Sequence, residues 1–327
     1  MNPRYMGTPI TLPPVLIEKL VKGANEQDIS ISQFCQLLLE NYFQDVNNSQ
    51  HLEVTASSLL SFLGLNNLDE SLLNIIIEGR PFTEGALSGH INRLFPLKFG
   101  CRFLWSLLDE DGTGPTISEF HKAMKSQITP IRSLLKNIDE ECGRARGDRI
   151  HSSFPNNERY AINRFLNNYM IRQIRGLENR PSGALFDFGL IDVSNGRIQF
   201  TEVGKQFVQQ HNPIIDNLNG SNAALSREEQ ILLFSHIRGN MVKEWHFIRH
   251  VLDGIHIGSN TPSSLLTRIM RRYGPGTKAN WSESVVPHMR SGVLGRIQSL
   301  GFIERAFTAN RVEYTITLTA LQIIDGD

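Results

Sequence analysis

The stretch LGFIERAFTANRVEYTITLT, residues 300–319, decides how this chain is to be read. Leu300 and Gly301 are followed by two apolar residues and an acid, then by a short tip that holds Asn310 and Arg311. Val312, Tyr314 and Ile316 then alternate with polar residues up to a terminal threonine, the period-two pattern of a strand with one buried face. A glycine between a helical pattern and such a strand suits a helix C-terminus, where a left-handed residue stops the helix at little steric cost. The phrase occurs twice. Residues 188–201, FGLIDVSNGRIQFT, repeat it with Gly189 in the glycine position and Asn195-Gly196 at the tip, a strong two-residue hairpin signal because both positions accept positive φ. Each copy spells helix, strand, tight hairpin, strand.

Helical patterns lie upstream of each copy. Before the second come residues 228–238, then 261–273 with Thr261 as N-cap and Pro262 at the first helical position, then a helix from Val285 to Leu300. Before the first come 116–124 and 159–172, longer and less regular. Helices that end in a two-stranded wing resemble the winged helix-turn-helix fold of bacterial DNA-binding regulators, which implies a DNA contact by the last helix and the wing.

Residues 8–43 carry a different pattern. Ile10, Thr11 and Leu12 make a short β-prone run before Pro13, and Leu16, Ile17, Leu20, Val21 and Ala24 form the stripe of an amphipathic helix. Ser30 with Gln33 three positions on predicts a capping box that opens a second helix through Phe34, Leu37, Leu38 and Phe43. These 36 or so residues resemble the ribbon-helix-helix (Arc/Met repressor) superfamily, which implies an obligate dimer with paired strands. The resemblance places a phosphate at the turn of Ser30, Ile31 and Ser32, on the backbone N–H groups of a helix start. In the family the ribbon reads bases with Arg, Lys, Gln or Asn; here those positions hold Gly7, Pro9 and Thr11, and only Thr11 can hydrogen-bond. Residues 8–43 are thus expected to join two chains more than to read DNA.

The fold expected is mainly α with small β-hairpins: a ribbon-helix-helix module over 1–46, a helical spacer over 47–95, a winged-helix domain over 96–210, a linker over 211–224 and a second winged-helix domain over 225–327. The linker is rich in Asn and carries Pro and Gly.

The chain is neutral, with 33 Lys and Arg against 33 Asp and Glu, but its charge is uneven. Residues 1–100 hold 6 basic and 10 acidic residues. Between Pro262 and Arg311 lie Arg268, Arg271, Arg272, Lys278, Arg290, Arg296, Arg305 and Arg311 against only Glu283 and Glu304. Residues 159–180 hold five arginines and a single acid. Clustered cations in a neutral chain mark a polyanion-binding face. Double-stranded DNA is the expected partner. Arg290 is the candidate base reader on the Val285–Leu300 helix, Arg305 and Arg311 flank the second wing, and Arg197 follows the first tip. Arg164, Arg172 and Arg175 are spaced to track phosphates, with Arg268, Arg271, Arg272, Lys278 and Arg296 as further contacts.

Other classes find less support. No apolar run reaches membrane-spanning length, and the first residues lack a signal-peptide layout, so a cytoplasmic protein is expected. Cys35, Cys101 and Cys142 form no CxxC pair. His246 and His250 stand four apart, but Arg249 lies between them and no HExxH pattern forms. Phosphate-binding and nucleophile-elbow loops are missing from the sequence, and Glu119 beside His121 and Lys122, or Glu202 before Lys205, lacks supporting partners. No enzyme activity, cofactor or metal is expected. A transcriptional regulator acting as a dimer fits best, with a plasmid or phage replication initiator, or an adaptor subunit of a DNA-processing or defence complex, as alternatives.

Overall fold

The computed structural model describes residues 14–26, 30–32, 34, 59–78, 85–173, 181–216, 223–308 and 311–325. The chain divides into two compact units, Met1–Thr55 and Ala56–Asp327.

In the first unit α1 (Pro14–Glu26) forms where the apolar stripe predicts it. Ala24 is buried, and the Phe34 ring packs so closely on Gly23 that a Cβ there would lie 2.6 Å from it. Phe34 N–H donates to Ser30 O at 2.9 Å, so helical hydrogen bonding restarts at Ser30. The strand at 8–12, Gln33 and the rest of the second helix lie outside the described residues.

The second unit is mainly helical. Its helices are α2 (Phe95–Trp105), α3 (Ile117–Lys125), α4 (Ile128–Glu141), α5 (Arg159–Arg164, continued by a π-turn to Met170), α6 (Ala184–Asp187), α7 (Glu202–Gln209), α8 (Arg227–Asn240), α9 (Val242–His256), α10 (Pro262–Tyr273), α11 (Val285–Ser299) and α12 (Leu318–Asp325). Three antiparallel strand pairs stand among them in the described residues. In β-strand terms, β1 (Arg172–Gln173) and β2 (Pro181–Ser182) pair over two residues, β3 (Ile191–Ser194) pairs with β4 (Arg197–Phe200), and β5 (Ile303–Thr308) with β6 (Arg311–Ile316).

The repeat seen in the sequence is a repeat of hydrogen bonds. Gly189 has φ 64° and Gly301 φ 72°, both left-handed, and the Asn195-Gly196 tip has φ 51° and 76°. Thr201 Oγ1 donates to Gly189 O at 2.6 Å, as Thr317 Oγ1 does to Gly301 O at 2.8 Å. Thr201 N–H reaches Leu190 O at 3.1 Å, and Thr317 N–H reaches Phe302 O at 3.0 Å. Each threonine also accepts from the backbone three residues on, Gly204 or Ala320, and so caps the next helix. One side chain closes the hairpin and starts the helix, twice.

One apolar core runs through this unit, from Leu60, Leu63 and Leu73 through α2 and the first hairpin to α9, α11 and Phe302. Buried ion pairs tie distant segments to it. Arg102 uses all five donors: two on Asp216 at 2.9 and 3.0 Å, the others on Leu63 O, Val208 O and Gln210 O. Lys98 meets Glu229 at 2.8 Å and donates to Phe207 O and Gln210 O. Arg296 meets Glu244 at 2.8 Å and donates to Ser88 O and Ile91 O, while Leu87 N–H bonds the other Glu244 oxygen. Asp139 takes Arg144, the N–H groups of Ile150 and His151, and the His151 ring. Charges this deep persist only with such full pairing.

These contacts change the expected layout. Leu60, Leu63, Leu87, Ile91 and Leu94, from the expected spacer, are buried in the common core. The described part of the expected linker is pinned, since Asp216 is held by Arg102, and Asn212 by Glu229 and Ala224 O. Polarity at 211–216 serves buried hydrogen bonds, which composition alone does not distinguish from a loose loop.

Candidate nucleic-acid interface

Where α9 and α10 pack, with the loop at 274–284, the molecule gathers its charge. α10 starts at Pro262 behind the Thr261 cap: Ser264 N–H donates to Thr261 Oγ1 at 3.2 Å, and Ser264 Oγ accepts from Thr261 N–H at 3.1 Å. Leu265 and Ile269 are buried, which leaves Arg271 and Arg272 exposed in the last turn, where the helix dipole favours cations. α9 follows α8 after a break at Met241 (φ −123°, ψ 60°). It buries Phe247, Ile248, Val251 and Leu252, so Lys243 and His246 face outward and Arg249 and His250 lie half-buried at the rim. Gly254 lets the Arg268 stem lie across α9, its Nε donating to His250 O at 3.3 Å. In the loop, Asn280 (φ 49°) accepts Gly276 N–H at 3.1 Å, and Trp281 N–H returns to Tyr273 O at 2.9 Å.

A cleft of about 960 Å³ results, lined by Lys243, His246, Arg249, Arg271, Arg272 and Lys278 with Tyr273 and Trp281. A second of about 520 Å³ shares His250, Arg271 and Arg272 with it and adds Arg268. Asp253 is the one acid among the described lining residues, 3.4 Å from Arg249 on the same helix. Burial, and then the charge of Arg268, hold His250 below the usual imidazole value. Its Nε2 is buried without a hydrogen-bond partner among the described residues. A concave surface with this excess of fixed positive charge focuses potential on an anion. Guanidinium and ammonium groups at its rim suit phosphate oxygens.

The sequence-picked residues scatter around this cleft. Arg271, Arg272 and Lys278 line the larger cleft, and Arg268 lines the smaller one with Arg271 and Arg272. Arg164, Arg172 and Arg311 are exposed elsewhere in the unit. Arg197 is exposed at the first hairpin tip, 3.1 Å from Glu119, an ion pair too open to be strong. Ser30 and Ser32 are exposed on the first unit, and Thr11 and Arg175 lie outside the described residues.

One expectation is corrected. Arg296 is not a surface contact: its side chain is 0% exposed and serves Glu244 and the backbone of 87–91. α11 is packed along most of its length, with Val285, His288 and Ser291 as its exposed positions. Val286, Met289, Gly292, Val293, Leu294 and Ile297 are buried, and residues 89–92 press on the helix so tightly that a Cβ at Gly295 would lie 2.0 Å from Asn92 O. Arg290, the expected base reader, is half-buried and donates to Pro262 O at 2.9 Å. Arg305 is half-buried too, over the Phe307 ring at 4.6 Å and against Gly147.

The cationic face of α9 is absent from the contacts expected from the sequence. Lys243, His246 and His250 recur at helical spacing, the signal in the sequence that marks this face. Among the described residues, no three His, Cys, Asp or Glu side chains group as a metal site. Glu119 is occupied by its capping box with Thr116. No helix of the described residues is long and apolar enough to cross a membrane. No family model matches the chain, and neither a curated protein nor a solved structure is found to be similar to it.

Proposed function

We propose that this chain is a DNA-binding protein that holds the phosphate backbone in the α9–α10 cleft and acts as a dimer joined through residues 8–43, in the manner of a transcriptional regulator. The observation that carries this reading is the meeting of Lys243, Arg249, Arg268, Arg271, Arg272 and Lys278 in two adjoining clefts of a neutral protein. Phosphate contacts of this kind position a protein on DNA and dominate its affinity. Exposed Arg311 and Arg197, on the two hairpins, would extend the contact.

The test is fluorescence anisotropy with a random-sequence duplex at low salt. Arg271→Glu with Arg272→Glu is expected to weaken binding at least about 100-fold, at roughly 1.5–3 kcal/mol per charge-assisted contact. Arg164→Glu, away from the cleft, is expected to change it little. Equal binding by the double variant overturns the assignment. Absence of binding by the unmodified protein favours the adaptor alternative, and selection of direct repeats over a palindrome favours the initiator.

A further inference from the structure

The larger cleft holds an aromatic group that phosphate binding does not require. Trp281 stacks on Tyr273 with ring centroids 4.8 Å apart and planes 18° apart. Phe247 lies 5.1 Å from each of them, with its plane steeply inclined to both. The three centroids make a nearly equilateral triangle, so Phe247 abuts the side of the stack. It does not cover the outer face of Trp281, where it would stand much farther from Tyr273 than from Trp281. His250 closes on Tyr273 at 5.4 Å. Tyr273 is therefore enclosed by three rings, while Trp281 is half-buried and lines the cleft beside Lys278, Arg271 and Arg272. Its backbone N–H bond to Tyr273 O holds the main chain there, and the Tyr273 and Phe247 rings pack against the indole.

We infer that the α9–α10 cleft binds an unpaired nucleotide, with its base stacked on the outer face of Trp281 and its phosphates on Arg271, Arg272 and Lys278. The inference rests on the nucleic-acid reading above and narrows it to single-stranded or locally opened strands. A flat aromatic platform inside a cationic groove is the arrangement that binds single strands, because every base has a π-face and a paired base does not offer it. The cleft volume of about 960 Å³ falls within the range of small-ligand sites. Arginine adds a planar cation that can cover the other face of the base.

Tryptophan fluorescence of the full chain tests this. Trp105 and Trp245 are buried, so Trp281 is the indole that a ligand in the cleft can reach. Titration with short oligodeoxythymidylate is expected to quench the emission, and the quench is expected to vanish in Trp281→Phe. Trp281→Ala is expected to lose about tenfold in single-strand affinity, and Trp281→Phe, which keeps a ring on Tyr273, less. Oligouridylate in a parallel titration separates a DNA from an RNA source of the base. Duplex binding that depends on Arg271 and Arg272, with no quench and no effect of Trp281→Ala, overturns this inference and leaves the wider reading intact. Binding of neither strand form overturns both.

Discussion

Arg296 and Arg271 stand in one basic stretch and do opposite things. Arg271 ends an amphipathic helix and meets solvent, whereas Arg296 finds Glu244 at a separation of 52 residues and disappears into the core. Local sequence records the charge of each; only the long-range partner decides its use. Arg296→Ala would leave Glu244 buried without its partner, and a loss of about 3–5 kcal/mol in denaturant unfolding is expected. Asp187 tests the opposite case. Burial raises its carboxyl to about 6, against a bond from Gly183 N–H that favours the charged form. Because the folded-state value lies above the unfolded one, ionisation at neutral pH weakens the fold, and the penalty fades as pH falls below about 6. Asp187→Asn keeps an acceptor for Gly183 and is expected to gain about 3 kcal/mol near pH 7.5 and well under 1 kcal/mol near pH 4. Equal effects at both pH values would remove the carboxyl from the account.

At the scale of elements, the hairpins were legible and the interface was not. The glycines at 189 and 301, the Asn195-Gly196 tip and the closing threonines act within a few residues, so the repeat could be read without tertiary knowledge. Thr261 and Pro262 likewise announce α10. How much of α11 meets solvent depends on residues 87–92, far away in sequence, which pack against it. The basic face of α9 was in plain view, but whether Lys243 and His246 adjoin Arg271 is a matter of how two helices pack. Thr201→Val removes both the hairpin closure and the cap of α7, and a loss of about 1–2 kcal/mol in thermal or denaturant unfolding is expected. An unchanged midpoint would mean that the Thr201 hydroxyl holds neither the hairpin nor the helix start.

At the scale of the whole molecule, residues 56–327 share one core and three cross-chain ion-pair hubs, so one cooperative transition is expected of this unit. Its pH dependence has a sign. Burial lowers His121, His236 and His250 below the usual imidazole value, so the unfolded chain takes up protons first. Stability is therefore fully present above about pH 6.5 and falls as pH drops below it, partly offset by Asp187, and denaturant midpoints at successive pH values check this. Loss of residues 1–46 is expected to leave a monomer in sedimentation, since the proposed dimer contact lies within 8–43.

The cleft's role as a phosphate-binding surface is tested most directly by the salt dependence of duplex binding. For the unmodified chain, log affinity is expected to fall linearly with log salt, and Arg271→Ala, Arg272→Ala and Lys278→Ala together are expected to reduce that slope by about 2–3, roughly one for each phosphate contact removed. A slope that the triple variant leaves unchanged would contradict the account.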